Sequence, residues 1–180
     1  MIVLASKSPR RQQLLKQLTN DFIVDVSNVV EKIPSNCEKQ NVPIHLAKQK
    51  ATDVFKRHTE DIVIGADTIV LVNDEILGKP KNKDDVRRMI TMLNNNTHEV
   101  ITGVCIKTKE YCKTFKNVTK VTFMQKSEEE INNYCELTSI YDKAGAYAIQ
   151  EEAGKYITSI DGDYNNVVGL PIDDLKKYLK

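Results

Sequence analysis

Ile62-Val63-Ile64-Gly65-Ala66-Asp67-Thr68-Ile69-Val70-Leu71-Val72 is the stretch from which the fold is read. Nine of these eleven residues are apolar or glycine. A run this apolar and β-branched suits a strand buried on both faces. A carboxylate in the middle of it is costly, because desolvating its charge takes several kcal/mol unless a partner or a metal offsets it. One reading has the chain leave the sheet at Gly65-Ala66, with Asp67-Thr68 as an ordinary turn. The other keeps Asp67 in the sheet as a working carboxylate, and the company it keeps elsewhere favours this one.

Downstream, Asn73-Asp74-Glu75 reads as a hairpin turn and Ile76-Leu77 as a short return strand. Lys79 follows, pinned between Gly78 and Pro80. This is not a Walker loop, which needs Gly-Lys-Ser/Thr after an earlier glycine, and a P-loop kinase is therefore disfavoured. Asn82 caps a helix striped by Val86, Met89, Ile90 and Leu93. Upstream, Ile2 to Ala5 is a short buried strand. It runs through Ser6 into a helix with Ser8 as N-cap, Pro9 in its first turn, and Leu14, Leu15 and Leu18 as its stripe. Arg10 and Arg11 in that first turn oppose the helix dipole, which would favour acids there, so the spot reads as an anion site. Phe22 to Val26 is a second strand beside the first, and Glu31 lies beyond it. Pro43 opens a helix striped by Ile44, Ala47, Ala51, Val54 and Phe55, with Lys50 at the stripe's edge.

Strands are expected over His98 to Lys107, Val118 to Met124 and Tyr156 to Ile160. Ser127-Glu128-Glu129-Glu130 is a capping box. Asp142 to Gln150 reads as small residues leading to a polar amide at a strand's end. Asp161 to Pro171 reads as a glycine-bounded loop before a final helix with Ile172, Leu175 and Leu179 inward.

A chain of 180 residues suits one domain, or two closely joined lobes. Lys plus Arg total 26 and Asp plus Glu 25, so no basic surplus exists to hold a polymeric nucleic acid. Cys37, Cys105, Cys112 and Cys135 show no C-x-x-C pair and no zinc spacing with the three histidines, and read as reduced thiols used as small hydrophobes. No apolar run reaches membrane-spanning length and the N-terminus is too short in apolar residues for a signal core, so a cytoplasmic protein is expected.

Together these pieces resemble the Maf family of nucleotide pyrophosphatases, also called septum formation inhibitors. The resemblance is carried by Leu4-Ala5-Ser6-x-Ser8-Pro9-Arg10-Arg11, Leu46-Ala47-x-x-Lys50-Ala51, Gly65-Ala66-Asp67-Thr68 and Leu77-Gly78-Lys79-Pro80. It continues through His98-x-Val100-x-Thr102-Gly103, Asp142-Lys143-Ala144-Gly145-Ala146-Tyr147, and Gly162-Asp163-Tyr164 with Asn166-Val167-Val168-Gly169-Leu170-Pro171. It implies an α/β fold: an elongated mixed sheet with flanking helices and a deep central cleft, like inosine-triphosphate pyrophosphatases, and frequently a homodimer. It also implies metal-dependent release of pyrophosphate from nucleoside triphosphates. Ser8-Pro9-Arg10-Arg11, Thr68 and Tyr147-x-Ile149-Gln150 resemble the branch acting on dTTP and UTP.

By that resemblance Asp67 is the proton acceptor, and Asp67 with Glu31 holds Mg2+ or Mn2+. Arg11, Lys50, Lys79 and the amides of the first helical turn hold the phosphates, Ser6 belongs to the substrate site, and Arg10, Thr68 and Gln150 choose the base. Val30 stands where the family usually has Asp, Ala148 where Gly is usual, and Asn95 where another Gly is. The family's older name suggests an alternative, a non-enzymatic regulator of septum formation acting as a binding module. Against it, every carboxylate and cation the reaction would use is present.

Overall fold

A computed structural model describes residues 1–179. The Ile62–Val72 run is one uninterrupted strand, and Asp67 and Thr68 stay in its ladder opposite Gly103 and Thr102. The chain does not turn away at Gly65. This strand, β3, is the third of seven: β1 (Ile2–Leu4), β2 (Phe22–Val24), β4 (Glu75–Leu77), β5 (Thr97–Lys107), β6 (Cys112–Phe123) and β7 (Ile157–Asp161). The sheet order is β2-β1-β3-β5-β6-β7, with β4 also paired to β3. β1 runs parallel to both β2 and β3, and every other pairing is antiparallel, so the sheet is mixed.

The register contains a gap. β1 pairs with β3 only over Ile62, Val63 and Ile64. β4 pairs along the same strand only over Val70, Leu71 and Val72. The segment from Gly65 to Ile69 has β5 on one side and no strand on the other. Asp67 lies in the middle of that split.

Alternation along β3 sends its side chains to two different packing layers. Val63 packs with Val3, Ala5, Ala47, Ala51, Val54 and Cys105, a layer built on α2 (Val42–Phe55). Ile64 and Ala66 face the other way, into a cluster with Leu14 and Leu15 of α1 (Pro9–Leu15), Val168 of α5 (Tyr164–Val168), and Ile172 and Leu175 of α6 (Ile172–Lys176). On that same face Val70 and Val72 join Val86, Met89, Ile90 and Leu93 of α3 (Lys83–Leu93), and Ile131 and Tyr134 of α4 (Glu128–Tyr134).

α2 can lie close on the sheet because two positions beneath it have no side chain. A Cβ on Gly65 would overlap the Ala47 carbonyl oxygen and come within 2.9 Å of Ala51 N, and one on Gly103 would overlap the backbone of Pro43 and Ile44.

Several expectations need correction. α1 ends at Leu15, though Leu18 still packs on its cluster from the turn beyond. β6 begins at Cys112 rather than Val118. Residues 142–150 hold no strand: Gly145 and Ala146 both adopt positive φ, which an extended ladder does not accommodate. The loop after β7 contains α5, capped by the Asp163 side chain accepting from Asn165 N and ended by Gly169 at φ +132°. The cysteines are all free thiols, but Cys112 is exposed and so is not a core hydrophobe. Among the described residues no helix is long and apolar enough to cross a membrane.

The close approach of α2 yields a prediction. Gly65→Ala should destabilise the fold by about 1–3 kcal/mol, the usual cost of overpacking. Gly78→Ala, with nothing within 4 Å of its new methyl, should stay within about 0.5 kcal/mol of wild type. Urea denaturation of both variants checks this, and equal stabilities would contradict the packing.

Candidate active site

The split in the sheet opens into a cleft of about 600 Å3. Asp67 and Thr68 are adjacent in β3 and so project from opposite faces, yet both line the cleft, because it passes through the gap between β1 and β4. Ser6 lines it from the β1–α1 connection, Arg10 and Arg11 from the first turn of α1, Lys50 from α2 and Glu31 from the irregular segment after β2. Lys79 and Gln150 complete the set. All nine residues singled out in the sequence are thus brought to one cavity.

On the α2 side, the Lys50 ammonium lies 2.5 Å from Asp67 Oδ1 and 3.0 Å from Glu31 Oε1. Asp67 Oδ2 accepts no hydrogen bond among the described residues. The Asp67 side chain keeps 15% exposure, enough for water in the cleft to reach it. Burial pushes its pKa above the usual carboxylate range, outweighing Lys50 and Arg11, which lower it. Glu31 belongs to no helix or strand, yet its segment is tied down on α2. Asp53 accepts from Ser27 Oγ at 2.9 Å and from Asn28 N at 3.0 Å. Gln49 accepts from Lys32 N at 2.9 Å and donates to Lys32 O. Gln49, Lys50 and Asp53 are therefore neighbours on one helix, two fixing the segment and one taking the carboxylate it delivers. Val30 points to solvent, 77% exposed.

Across the gap, Arg11 is anchored on three elements. Its Nε donates to Gly169 O at 2.8 Å, Nη1 to Ser6 Oγ at 3.2 Å and Nη2 to Thr68 Oγ1 at 2.9 Å. Three of the five guanidinium N–H groups are used, which leaves two for a ligand. The Ser8 side chain caps α1 by accepting from Arg11 N. Lys79 and Arg10 line the cleft with no acidic partner among the described residues. The turn at Lys79 is held by Gly145 N donating to Gly78 O at 3.0 Å.

Two wall residues lie in the motifs quoted above but carried no assigned role in the sequence. Lys143 is buried in the wall but neutralised, with Asp142 Oδ1 at 2.8 Å and Glu151 Oε1 at 3.2 Å. Its role is to fix the segment carrying Gln150, and the Asp-Lys dipeptide reads in sequence like any surface charge pair. Tyr147 is held from behind by His98, whose Nε2 lies 2.5 Å from the phenol oxygen. Burial drops the His98 pKa to about 3, so the ring is neutral at ordinary pH and supports the wall without taking part in proton transfer.

The arrangement of the sheet and its helices has a counterpart among solved structures. The Ham1 protein of Staphylococcus aureus shares it, with a TM-score of 0.57 over 99% of this chain and 97% of that one, at 16% identity. Sequence comparison is sharper. The chain matches the Maf-like protein family over residues 1–180 and belongs to that family. It is 45% identical over 179 residues to the dTTP/UTP pyrophosphatase of Bacillus cereus strain ATCC 14579, covering 99% of this chain and 94% of the relative. To the dTTP/UTP pyrophosphatase of Lachnoclostridium phytofermentans it is 44% identical over 185 residues, covering 99% and 93%.

The raised pKa of Asp67 has a consequence for stability. A group whose pKa is higher in the folded state supports folding while protonated, and that support is lost as pH rises through the folded value. Ionised Asp67 therefore costs stability at neutral pH. Asp67→Asn, which keeps the Lys50 contact without the charge, should raise Tm near neutral pH in chelator. The gain should shrink as pH falls through the carboxylate range. Melting curves across pH test this, and a lower Tm for the variant at neutral pH would refute it.

Proposed function

We propose that this protein hydrolyses dTTP and UTP, and modified pyrimidine triphosphates of the same shape, to the nucleoside monophosphate and pyrophosphate. The observation that carries the reading is the desolvated Asp67 carboxylate, paired to Lys50 in the gap of the sheet and facing a cleft rich in cations. The names of the full-length relatives supply the substrate class. The whole chain is read as one functional unit, since the cleft takes residues from Ser6 to Gly169.

In this reading water attacks the α-phosphorus, Asp67 takes its proton, and the bond to the bridging oxygen breaks with pyrophosphate leaving. A carboxylate whose pKa lies above its usual range is a better match to that task than an exposed one. Its Oδ1 is steadied by Lys50, which leaves Oδ2 for the water. The two free N–H groups of Arg11, with Lys79 and Lys50, neutralise the triphosphate and the charge that grows on the leaving group. Ser6 orients Arg11. Arg10, Thr68 and Gln150 are read as the contacts to the base.

A divalent cation belongs to this reading. Asp67 and Glu31 both aim a carboxylate oxygen at one cation, here the Lys50 ammonium, and an oxygen-only donor pair suits Mg2+ or Mn2+. Among the described residues no cluster of three or more Asp, Glu, His or Cys forms around such an ion, so water and substrate oxygens would complete its shell. When bound, it would withdraw charge from the phosphate oxygens.

Pyrophosphate release from UTP and dTTP should require added Mg2+ or Mn2+ and stop on chelation. Asp67→Asn should lower kcat on the order of 10²–10⁴-fold, the range for a lost general base. Activity near wild type in that variant would remove Asp67 from the mechanism. Lys79→Ala should raise KM and lower kcat together, because a phosphate contact serves both ground and transition states. Unchanged constants would make Lys79 a bystander. A protein that binds UTP but releases no pyrophosphate under any metal condition would instead favour the binding-module alternative.

A further inference from the structure

Thr102 touches nothing in the cleft, yet it decides what Thr68 can offer there. The two residues face each other across β3 and β5, and their hydroxyl oxygens are 2.9 Å apart. Distance alone leaves the direction of that hydrogen bond open. A second contact resolves it: Thr102 Oγ1 lies 3.0 Å from the backbone carbonyl oxygen of Asn166. A carbonyl only accepts, so the single Thr102 proton is committed to it. Thr68 must then supply the proton between the two hydroxyls. Thr68 Oγ1 already accepts from Arg11 Nη2. That leaves Thr68 with one lone pair toward the cleft and no proton to give.

The carbonyl that sets this direction cannot turn away. Asn166 is fully buried. Its side chain donates to Val100 O and Thr119 Oγ1, both at 2.9 Å, and accepts from Thr102 N at 3.1 Å. Gln150, by contrast, is exposed and has no hydrogen-bond partner among the described residues. Its amide can present either a donor or an acceptor, and so cannot distinguish uracil from cytosine alone.

We propose that Thr102 is a positioning residue that determines base specificity. By drawing the Thr68 proton away from the cleft and passing its own to Asn166, it makes Thr68 an obligate acceptor. Such a group suits the N3–H of uracil or thymine and rejects cytosine, whose N3 is itself an acceptor. The proposal rests on the cleft being a pyrimidine triphosphate site with Thr68 at the base.

The test is kcat/KM for UTP, dTTP and CTP in wild type, T102S, T102V and T68V, with Tm measured for each. T102V keeps the shape but removes the acceptor, so the Thr68 proton is free to turn into the cleft. The UTP:CTP ratio should fall about tenfold, the scale of one mispaired polar group. T102S, which restores the hydroxyl, should retain the wild-type ratio. If T102V does not yield folded protein, T102A removes the same hydroxyl and is read in the same way. A parallel loss for all three nucleotides, with the ratio unchanged, would make Thr102 a purely structural residue and overturn the proposal. T68V separates this from a failure of the underlying reading. If T68V leaves UTP turnover and the ratio at wild-type values, Thr68 does not meet the base and the reading of the cleft is at fault. If T68V changes the ratio and T102V does not, only the proposal falls.

Discussion

A negative charge set in the middle of a long, largely apolar strand is the constraint to which the surrounding structure answers. Asp67 cannot be solvated as a surface carboxylate is, and burial alone would favour its neutral form. Lys50 from one side of the sheet and Arg11 from the other supply the compensating charge. Each cation is itself held by other groups. Lys50 shares a second carboxylate, and Arg11 is gripped by Ser6, Thr68 and the Gly169 carbonyl. The cost of one buried charge is thereby spread over the β1–α1 connection, α1, α2, β3 and the segments after β2 and α5.

Two backbone features make that arrangement reachable. The first is the gap between β1 and β4 along β3, which gives the carboxylate a route to water without breaking the ladder to β5. The second is the pair Gly65 and Gly103, whose missing side chains let α2 settle close enough for Lys50 to reach Asp67. A bulkier residue at either position would lift the helix and lengthen that contact. The geometry of the ion pair is thus set by residues that carry no charge at all.

Much of this was legible in the sequence because it depends on local pattern. The apolar run of β3, the oddity of Asp67 within it, and Lys50 at the edge of the α2 stripe follow from periodicity and burial cost. What escaped depends on pairing between distant residues. The gap exists because β1 and β4 stop where they do, which no window around Asp67 reveals. The early half of β6 was hidden by Lys113 and Lys116, which interrupt the apolar alternation. α5 is only five residues long, too short to show a helical period. Gly145 and Ala146 read as small residues leading to a strand's end, and their positive φ is what turns that segment away from the sheet. Thr102 and Asn166 are ordinary polar residues until the fold closes the 64 positions between them.

The anchoring of Arg11 also bears on how the molecule is made. Its hydrogen bond to Gly169 spans 158 positions, nearly the full chain, and a contact that distant closes only after most of the backbone is ordered. On the ribosome, β1 and α1 emerge first and wait for almost the whole protein before their arginine has its carbonyl. In a chain lacking residue 169, Arg11 keeps Ser6 and Thr68 as partners but has no carbonyl to hold its Nε. The end of synthesis thus supplies the last of the three anchors that fix this arginine.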